Sequence, residues 1–394
     1  MFPQGYLFDK DHFTMKWLEE GLVGVPLDLT VLDFEFWDNH ISRIIEEANM
    51  SFTEIINKNT FSPAAENCIL NLVEDEPCQW QVNPLMLKFL TSKAAEKGLG
   101  FASTTLVSAT SCLNTAQIAQ RLALHHPDPQ LAAMLQHMDL SHTRSLLITG
   151  AINQTTNPLD RVAYLVVLDL EGWENLKDGD MLQICKMFML RYLSVRRTGI
   201  SKLPPQIKEL RILRALDVSC THISELPSEL RELQWLCMLD LRSTQIGQLP
   251  EHFGRLLDSL RILLIVTKIP HGLLEHLYLY TLAIVDLSEC PASFLQDLMY
   301  HRQLEVLAIT WSSHQCTREA YRNALLSFIR ELENLRSLTI HRGLGCARRK
   351  FKITTERFVK VPQWIGGLEH LAFLHITLCK LESNDVKILG HLQG

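Results

Sequence analysis

Between residues 190 and 250 the chain repeats one arrangement of apolar and polar positions three times without a gap. The arrangement is L-x-x-L-x-L-x-x-T-x-I-x-x-L-P, and it begins at Leu190, Leu213 and Leu236, a spacing of 23 residues. Thr198, Thr221 and Thr244 fall in one column, and Ile200, Ile223 and Ile246 in the next. Leu203-Pro204, Leu226-Pro227 and Leu249-Pro250 close each unit. In L-x-x-L-x-L the last two leucines alternate, so they share one face of a short strand. That face has no cover within its own unit, so units must stack. Each buried Leu or Ile then contributes roughly 1.5–3 kcal/mol. The Thr column falls where the strand turns away, and its hydroxyls are expected to bond a neighbouring unit's backbone. The prolines cannot donate to a ladder and stop regular structure before the return segment.

Weaker copies of the pattern extend it in both directions. They begin at Leu260, Leu282, Leu304, Leu335 and Leu371, and going backwards at Leu165, Thr143 and Ala119. The segment around Ala119, TAQIAQRLALHH, also fits an amphipathic helix, and the repeat pattern favours a strand. The result is about ten or eleven units from about residue 115 onward. Such an array is a leucine-rich repeat: an α/β solenoid with a parallel β-sheet on its concave face.

The outward strand positions line that concave face, the usual binding surface of a solenoid. One column carries Asp169, Asp217, Asp240 and Asp286. The column two residues further on carries Glu171, Arg196, Ser219, Arg242, Thr310 and His341. These are partner-binding candidates, to be weighed against a solvated face whose exposed ion pairs contribute little. The units lengthen after Leu304 and again after Leu335. The second enlargement, RGLGCARRKFKITTERFVKVP, is locally basic and includes Arg348, Arg349 and Lys350. It is either a solubilising loop or a contact surface for an acidic patch.

Residues 1–100 carry no repeat and read as short helices. DKDHFTMKWLEEGLVG forms one, with Asp11 as N-cap, Phe13, Trp17 and Leu18 near one face, and Gly21 as stop. DNHISRIIEEAN and SFTEIINKN form two more. NPLMLKFLTSKAAEKG forms a fourth, capped by Asn83, with Pro84 at its first position and Gly98 as its end. Short helices of this kind fit a winged-helix unit, for which DNA binding is the usual inference. Charge argues against it: residues 1–60 hold 4 Lys or Arg against 11 Asp or Glu, and such a surface repels phosphate.

The whole chain has 394 residues and a formal charge of −6, which gives no electrostatic reason to expect nucleic acid. It has no secretory signal and no apolar run long enough to span a bilayer. Its 10 cysteines form no CxxC pair, and without an export signal they read as reduced, buried thiols. By elimination the chain is expected in the cytoplasm, where the sequons at Asn49 and Asn153 carry no weight. No GxSxG, HExxH or paired-cysteine motif occurs, so neither an enzyme nor a metal protein is expected. His125, His126, His137 and His142 cluster loosely, without a carboxylate or cysteine at ligand spacing.

A set of segments, in order, resembles plant nucleotide-binding leucine-rich-repeat immune receptors, most closely those of grasses. FPQGYLFDKDHFTMKWLEEGLV is similar to their FPEDYxIxKxxLIxxWIAEGFV, and SFTEIINKN to their YFxELINRN. TRSLLITG resembles their VRSLTIFG strand, and T-x-I-x-x-L-P is their typical repeat ending. The resemblance implies part of a winged-helix domain over residues 1–100, a linker over 101–116 and a solenoid over 117–394. It places Val82-Asn83-Pro84 where the family has its MHD motif, whose His meets the nucleotide's phosphate. Asn83 keeps a polar group there, whereas Pro84 replaces a carboxylate; the plainer reading is that Asn-Pro starts a helix. The family binds ADP or ATP, but its phosphate loop, GxxxxGK[ST], occurs nowhere in this sequence, so no cofactor is expected. Relative to the family the chain reads as truncated at both ends. The implied function is recognition of a pathogen protein or a guarded host protein, with restraint of the receptor's nucleotide-binding core until then. The alternative is a leucine-rich-repeat adaptor or decoy with no receptor activity of its own.

Overall fold

The structure is a computed structural model. It describes residues 7–8, 10–20, scattered positions from 47 to 60, 61–63, 80–89 apart from 87, 102–103, 121–125, 140–150 and 158–250. Beyond these it describes strands and their flanks at 260–265, 279–286, 303–312, 337–343 and 373–376, with a few single positions. The chain divides into two compact units: Met1–Asn67 with Pro77–Leu236, and Cys68–Glu76 with Cys237–Gly394.

The first unit opens with three short strands, β1 (Leu7–Phe8), β2 (Phe61–Pro63) and β3 (Trp80–Val82). They form an antiparallel sheet in the order β1-β3-β2. The sequence reading gave this region helices alone; strands of two or three residues carry no period to detect. Helix α1 (Lys10–Glu19) follows β1. Asp11 lies inside the helix rather than at its N-cap, and Gly21 falls outside the described residues. The rings of Phe8, Phe13 and Phe52 pack at centroid distances of 4.8–6.3 Å, and Trp17 stacks on Phe13 at 4.8 Å. Of SFTEIINKN, residues 51–52 and 54–55 are helical. Most of DNHISRIIEEAN lies outside the described residues.

The larger sheet of this unit is parallel: β4 (Ala102–Ser103), β5 (Arg121–His125), β6 (Ser145–Thr149), β7 (Val167–Asp169), β8 (Tyr192–Ser194) and β9 (Ala215–Asp217). Leu122, Leu146, Leu168, Leu193 and Leu216 lie side by side in register, each at most 2% exposed. Of the segment around Ala119, Arg121–His125 is described and is a strand, as the repeat pattern favours. β4 pairs with β5 inside the stretch read as a linker, so the sheet starts before residue 117.

Among the described residues, five repeats leave their strands through one bend. The eighth position has positive φ in five repeats: 75° at Gly150, 69° at Gly172, 55° at Arg197, 56° at Cys220 and 56° at Ser243. Glycine adopts this conformation freely; other residues are strained by it, by roughly 1–2 kcal/mol. The Thr column follows, and its hydroxyls bond within their own repeat, not to a neighbour. Thr198 donates to the Val195 carbonyl at 2.6 Å, Thr221 to Val218 at 2.7 Å and Thr244 to Leu241 at 2.9 Å. A residue three positions back sits under the hydroxyl once the chain has turned, so the nearer carbonyl takes it. Pro204 and Pro227 are extended and introduce 3-10 turns at Pro205–Glu209 and Ser228–Glu232. A short helix, α2 (Asp180–Ile184), fills the same place in an earlier repeat. Adjacent repeats are stitched by Asp178, which accepts bonds from the Ser201 N–H at 2.8 Å and the Ser201 hydroxyl at 2.6 Å.

The second unit continues the same architecture with parallel strands β10 (Met238–Asp240), β11 (Ile262–Leu264), β12 (Thr281–Asp286), β13 (Val306–Ser312), β14 (Ser337–Gly343) and β15 (Phe373–Ile376). One repeat starts elsewhere than expected. Leu263 pairs with Leu282, and Leu282 with Leu307. The Tyr280 N–H donates to the Arg261 carbonyl at 2.9 Å, the bond that Arg214 gives Arg191 at 2.8 Å. The repeat therefore begins at buried Leu279, as LYTLAI, not at Leu282. LAIVDL satisfies the same apolar positions three residues on, which is why the pattern alone misplaces it. A register shift between Leu282 and Val285 then absorbs the extra residue.

Candidate functional site

The two charged columns proposed for partner binding first serve the backbone. In the first unit the Asp169 carboxylate accepts the Glu171 N–H at 3.1 Å, and Asp217 accepts the Ser219 N–H at 2.9 Å and the Ser219 hydroxyl at 2.6 Å. The Ser194 hydroxyl holds the Arg196 N–H more loosely, at 3.4 Å. In the second unit Asp240 takes the Arg242 N–H at 2.9 Å and binds its guanidinium through Nε and Nη2 at 2.7–3.0 Å. An acceptor at this position caps the strand's exit two residues on. Its recurrence at 23-residue spacing therefore has a structural cause.

These residues are also buried rather than solvated. Asp169, Ser194, Asp217 and Ser219 are 1–3% exposed, and Arg196 is 7% exposed. Their cover is α1, which packs against β8. Lys16 Nζ donates to Asp169 Oδ2 at 2.6 Å, and His12 Nδ1 lies 3.3 Å from Asp217 Oδ2. At the other end of α1, Arg214 Nη1 donates to Glu19 Oε2 at 3.3 Å. Arg121 bonds the Glu20 carboxylate through Nε and the Glu20 carbonyl through Nη2, the latter at 3.2 Å. Burial pushes the Glu19 carboxyl up, against Arg214 and Arg191, which pull it down. Burial pushes the Arg191 guanidinium down, helped by Arg214. Tyr192 lies beneath the helix, and burial raises its phenol well above the ordinary range, reinforced by Asp169 and Asp217.

What remains between helix and strands is a gap of about 10 Å³ bordered by Phe8, His12, Lys16, Asp169, Tyr192 and Asp217. A second gap, of about 40 Å³, lies beside Glu19, Glu20, Arg121 and Arg144. Volumes of this size hold one or a few water molecules.

The structure thus gathers Asp169, Glu171, Arg196, Asp217 and Ser219 into one covered face. Glu171 bridges to Arg197 at 3.3 Å and stands 3.7 Å from Arg196. In the second unit Asp286 pairs with Thr310 and Thr310 with His341, so these three form a row across β12, β13 and β14. Arg348, Arg349 and Lys350 lie outside the described residues. Val82 is buried in β3 and Pro84 is exposed. Asn83 Oδ1 accepts the Leu85 N–H at 3.0 Å, the geometry of a helix cap.

Sequence reasoning missed the other half of this face: His12, Lys16, Glu19 and Glu20 on α1, and Arg121, Arg191 and Arg214 at the strand starts. A signal existed. Arg144, Arg191, Arg214 and Arg261 share the second position of their repeats, a basic column beside the acidic one.

The family description "Leucine-rich repeat region" matches residues 142–229 and 213–394. Among curated proteins the chain is similar to disease resistance protein Pik-2 of Oryza sativa subsp. japonica, at 26% identity over 210 residues, 53% of this chain and 18% of that protein. It is similar to disease resistance protein Pik-1 of the same plant at 33% identity over 173 residues, 42% of this chain and 14% of that protein. The chain thus spans less than a fifth of the length of these relatives. Among solved structures, a TDR receptor matches with a TM-score of 0.44 and 19% identity, over 70% of this chain and 49% of that one. Among the described residues no helix is long and apolar enough to cross a membrane. With repeats that pair strand by strand in register and a family match over most of its length, the chain belongs to the leucine-rich repeat family, in a form similar to that of rice disease resistance proteins.

Proposed function

We propose that the chain is part of a plant innate immune receptor. Its repeats recognise a protein partner, a pathogen effector or a guarded host protein, and hold the adjoining helical module at rest until that partner arrives. The observation that carries this reading is α1 lying across the concave face through oppositely charged, largely buried pairs. Removing one partner of such a pair leaves a buried charge uncompensated, which costs about 3–5 kcal/mol. A contact of that kind holds firmly and opens only when something replaces it. On this reading the chain is cytoplasmic, is not an enzyme and binds no nucleotide by itself; titration with ADP is expected to give no binding heat.

The test is transient expression in rice protoplasts of the wild-type chain and of K16E/E19R, with a defence-responsive reporter and viability as readouts. The substituted chain is expected to shift the reporter, because the helical module and the concave face are both released. Identical readouts for empty vector, wild type and substituted chain would refute the receptor reading.

A further inference from the structure

Two charges at the end of α1 run against its own stability. Glu19 and Glu20 stand at the C-terminal end of the helix, where the macrodipole disfavours acidic residues. Their order is favourable only against the concave face. Along one strand that face is basic where the strand begins, at Arg214, and acidic where it ends, at Asp217. The three residues from Arg214 to Asp217 span about 10 Å of extended chain. The seven from His12 to Glu19 span about 10 Å of helix. Glu19 meets Arg214 and His12 meets Asp217, so α1 runs antiparallel to β9 with matched spacing. The positive helix N-terminus points to the acidic edge and the negative C-terminus to the basic edge, so the dipole adds to the pairing. Neighbouring strands each supply one half of this order: Arg191 precedes β8, Asp169 closes β7, and Arg121 opens β5.

We propose that the concave face over β5 to β9 is a reader of helix polarity, and that its external ligand is an amphipathic helical segment of a protein partner. The ligand has basic residues ahead of an acidic C-terminal turn, as His12 and Lys16 stand ahead of Glu19 and Glu20, and it displaces α1 by presenting the same charge order. This inference rests on the receptor reading above and names the partner chemistry of the same face. The opposite polarity is excluded: reversing the helix sets Glu19 against Asp217 and His12 against Arg214, while Lys16 stays near the middle. Between covered groups such like-charge contacts suppress wrong partners.

The test uses fluorescent peptides against the full chain. One peptide is the sequence of residues 10–20; the other carries H12E, K16E, E19K and E20K. Each is titrated into the wild-type chain, into K16E/E19R, whose α1 is weakened while the face is intact, and into D169K/R214E, whose face is reversed while α1 keeps its native charges. The native-order peptide is expected to bind K16E/E19R at least tenfold more tightly than the wild type. The reversed peptide should bind K16E/E19R no better than it binds the wild type, and it should bind D169K/R214E more tightly than either. Unfolding midpoints report that the repeats stay folded; if K16E/E19R does not fold, the near-isosteric K16M/E19Q replaces it. Equal binding of both peptides, or no binding to a chain whose α1 amides exchange freely, overturns the proposal. Such a result leaves a defence readout in protoplasts untouched, so the two readings fail separately.

Discussion

Leu216 and Asp217 are neighbours in β9, at 0% and 2% exposure, and unlike forces hold them. Leu216 faces the stack, where Leu193 and its equivalents line up in register. Any apolar side chain of similar volume satisfies that interior, because burial and dispersion carry no direction. Asp217 faces α1 and is fixed by named partners: Ser219, Ser194 and His12. The interior therefore sets that the chain is a solenoid, and the face sets how α1 docks on it. Stability is generic on one side of the strand and specific on the other.

The sharpest break of that contrast is E19R. It places a third guanidinium beside Arg191 and Arg214 and is expected to cost the α1 contact about 4 kcal/mol. Hydrogen exchange should show α1 unprotected while β8 and β9 keep their protection; loss of protection throughout would mean that face and interior are one cooperative unit. L216A acts on the other side. It removes about 3 kcal/mol of global stability in chemical unfolding, and α1 and the strands should loosen together. G172A tests the bend between the two sides. No atom lies within 4 Å of the added methyl, so the loss of about 1–2 kcal/mol is backbone strain alone. T221V removes the hydroxyl that satisfies the Val218 carbonyl and should lower the unfolding free energy by about 1 kcal/mol.

The smallest effects are those of acid, and they have opposite signs. Burial raises Glu19 above its ordinary 4.5, so its contribution to the docked helix is fully present below 4.5 and is lost as pH rises through the folded value. For Asp178, burial opposes the charge, but the bonds from Ser201 and Lys202 prevail and hold the carboxyl below 3.8. Its contribution is present above 3.8 and is lost as pH falls through the folded value. Exchange measured from neutral pH down to 4.5 should show α1 gaining protection before the stitch between repeats weakens. Loss of α1 protection over that interval would show that Glu19 does not govern the contact.

The repeats were legible because a strict period puts Leu, Thr, Ile and Pro in fixed columns, and each column has a local physical cause. The repeat at Leu279 was not, because it follows Leu260 after 19 residues instead of 23 and two sets of apolar residues fit the pattern. The apolar half of α1 was visible in Phe13, Trp17 and Leu18. Its buried polar half was not, because Lys16 and Glu19 owe their burial to partners 153 and 195 residues away. Local pattern assigns a charged residue to solvent; only the folded sheet supplies the counter-charge. Likewise the Asp column looked like a binding surface because its backbone bonds appear only once the strand has turned.

The bend at the eighth position bears on how such a chain diversifies. Arg197, Cys220 and Ser243 share one backbone conformation and nothing else. Each differs from glycine by a fixed local strain that neighbouring repeats absorb, so side-chain identity there is nearly free of the coil's interior. Arg197 already uses that freedom to reach Glu171 at 3.3 Å along the rim. The corner of these repeats is thus a place where inheritance can try new chemistry at the rim of the sheet while the architecture stays constant.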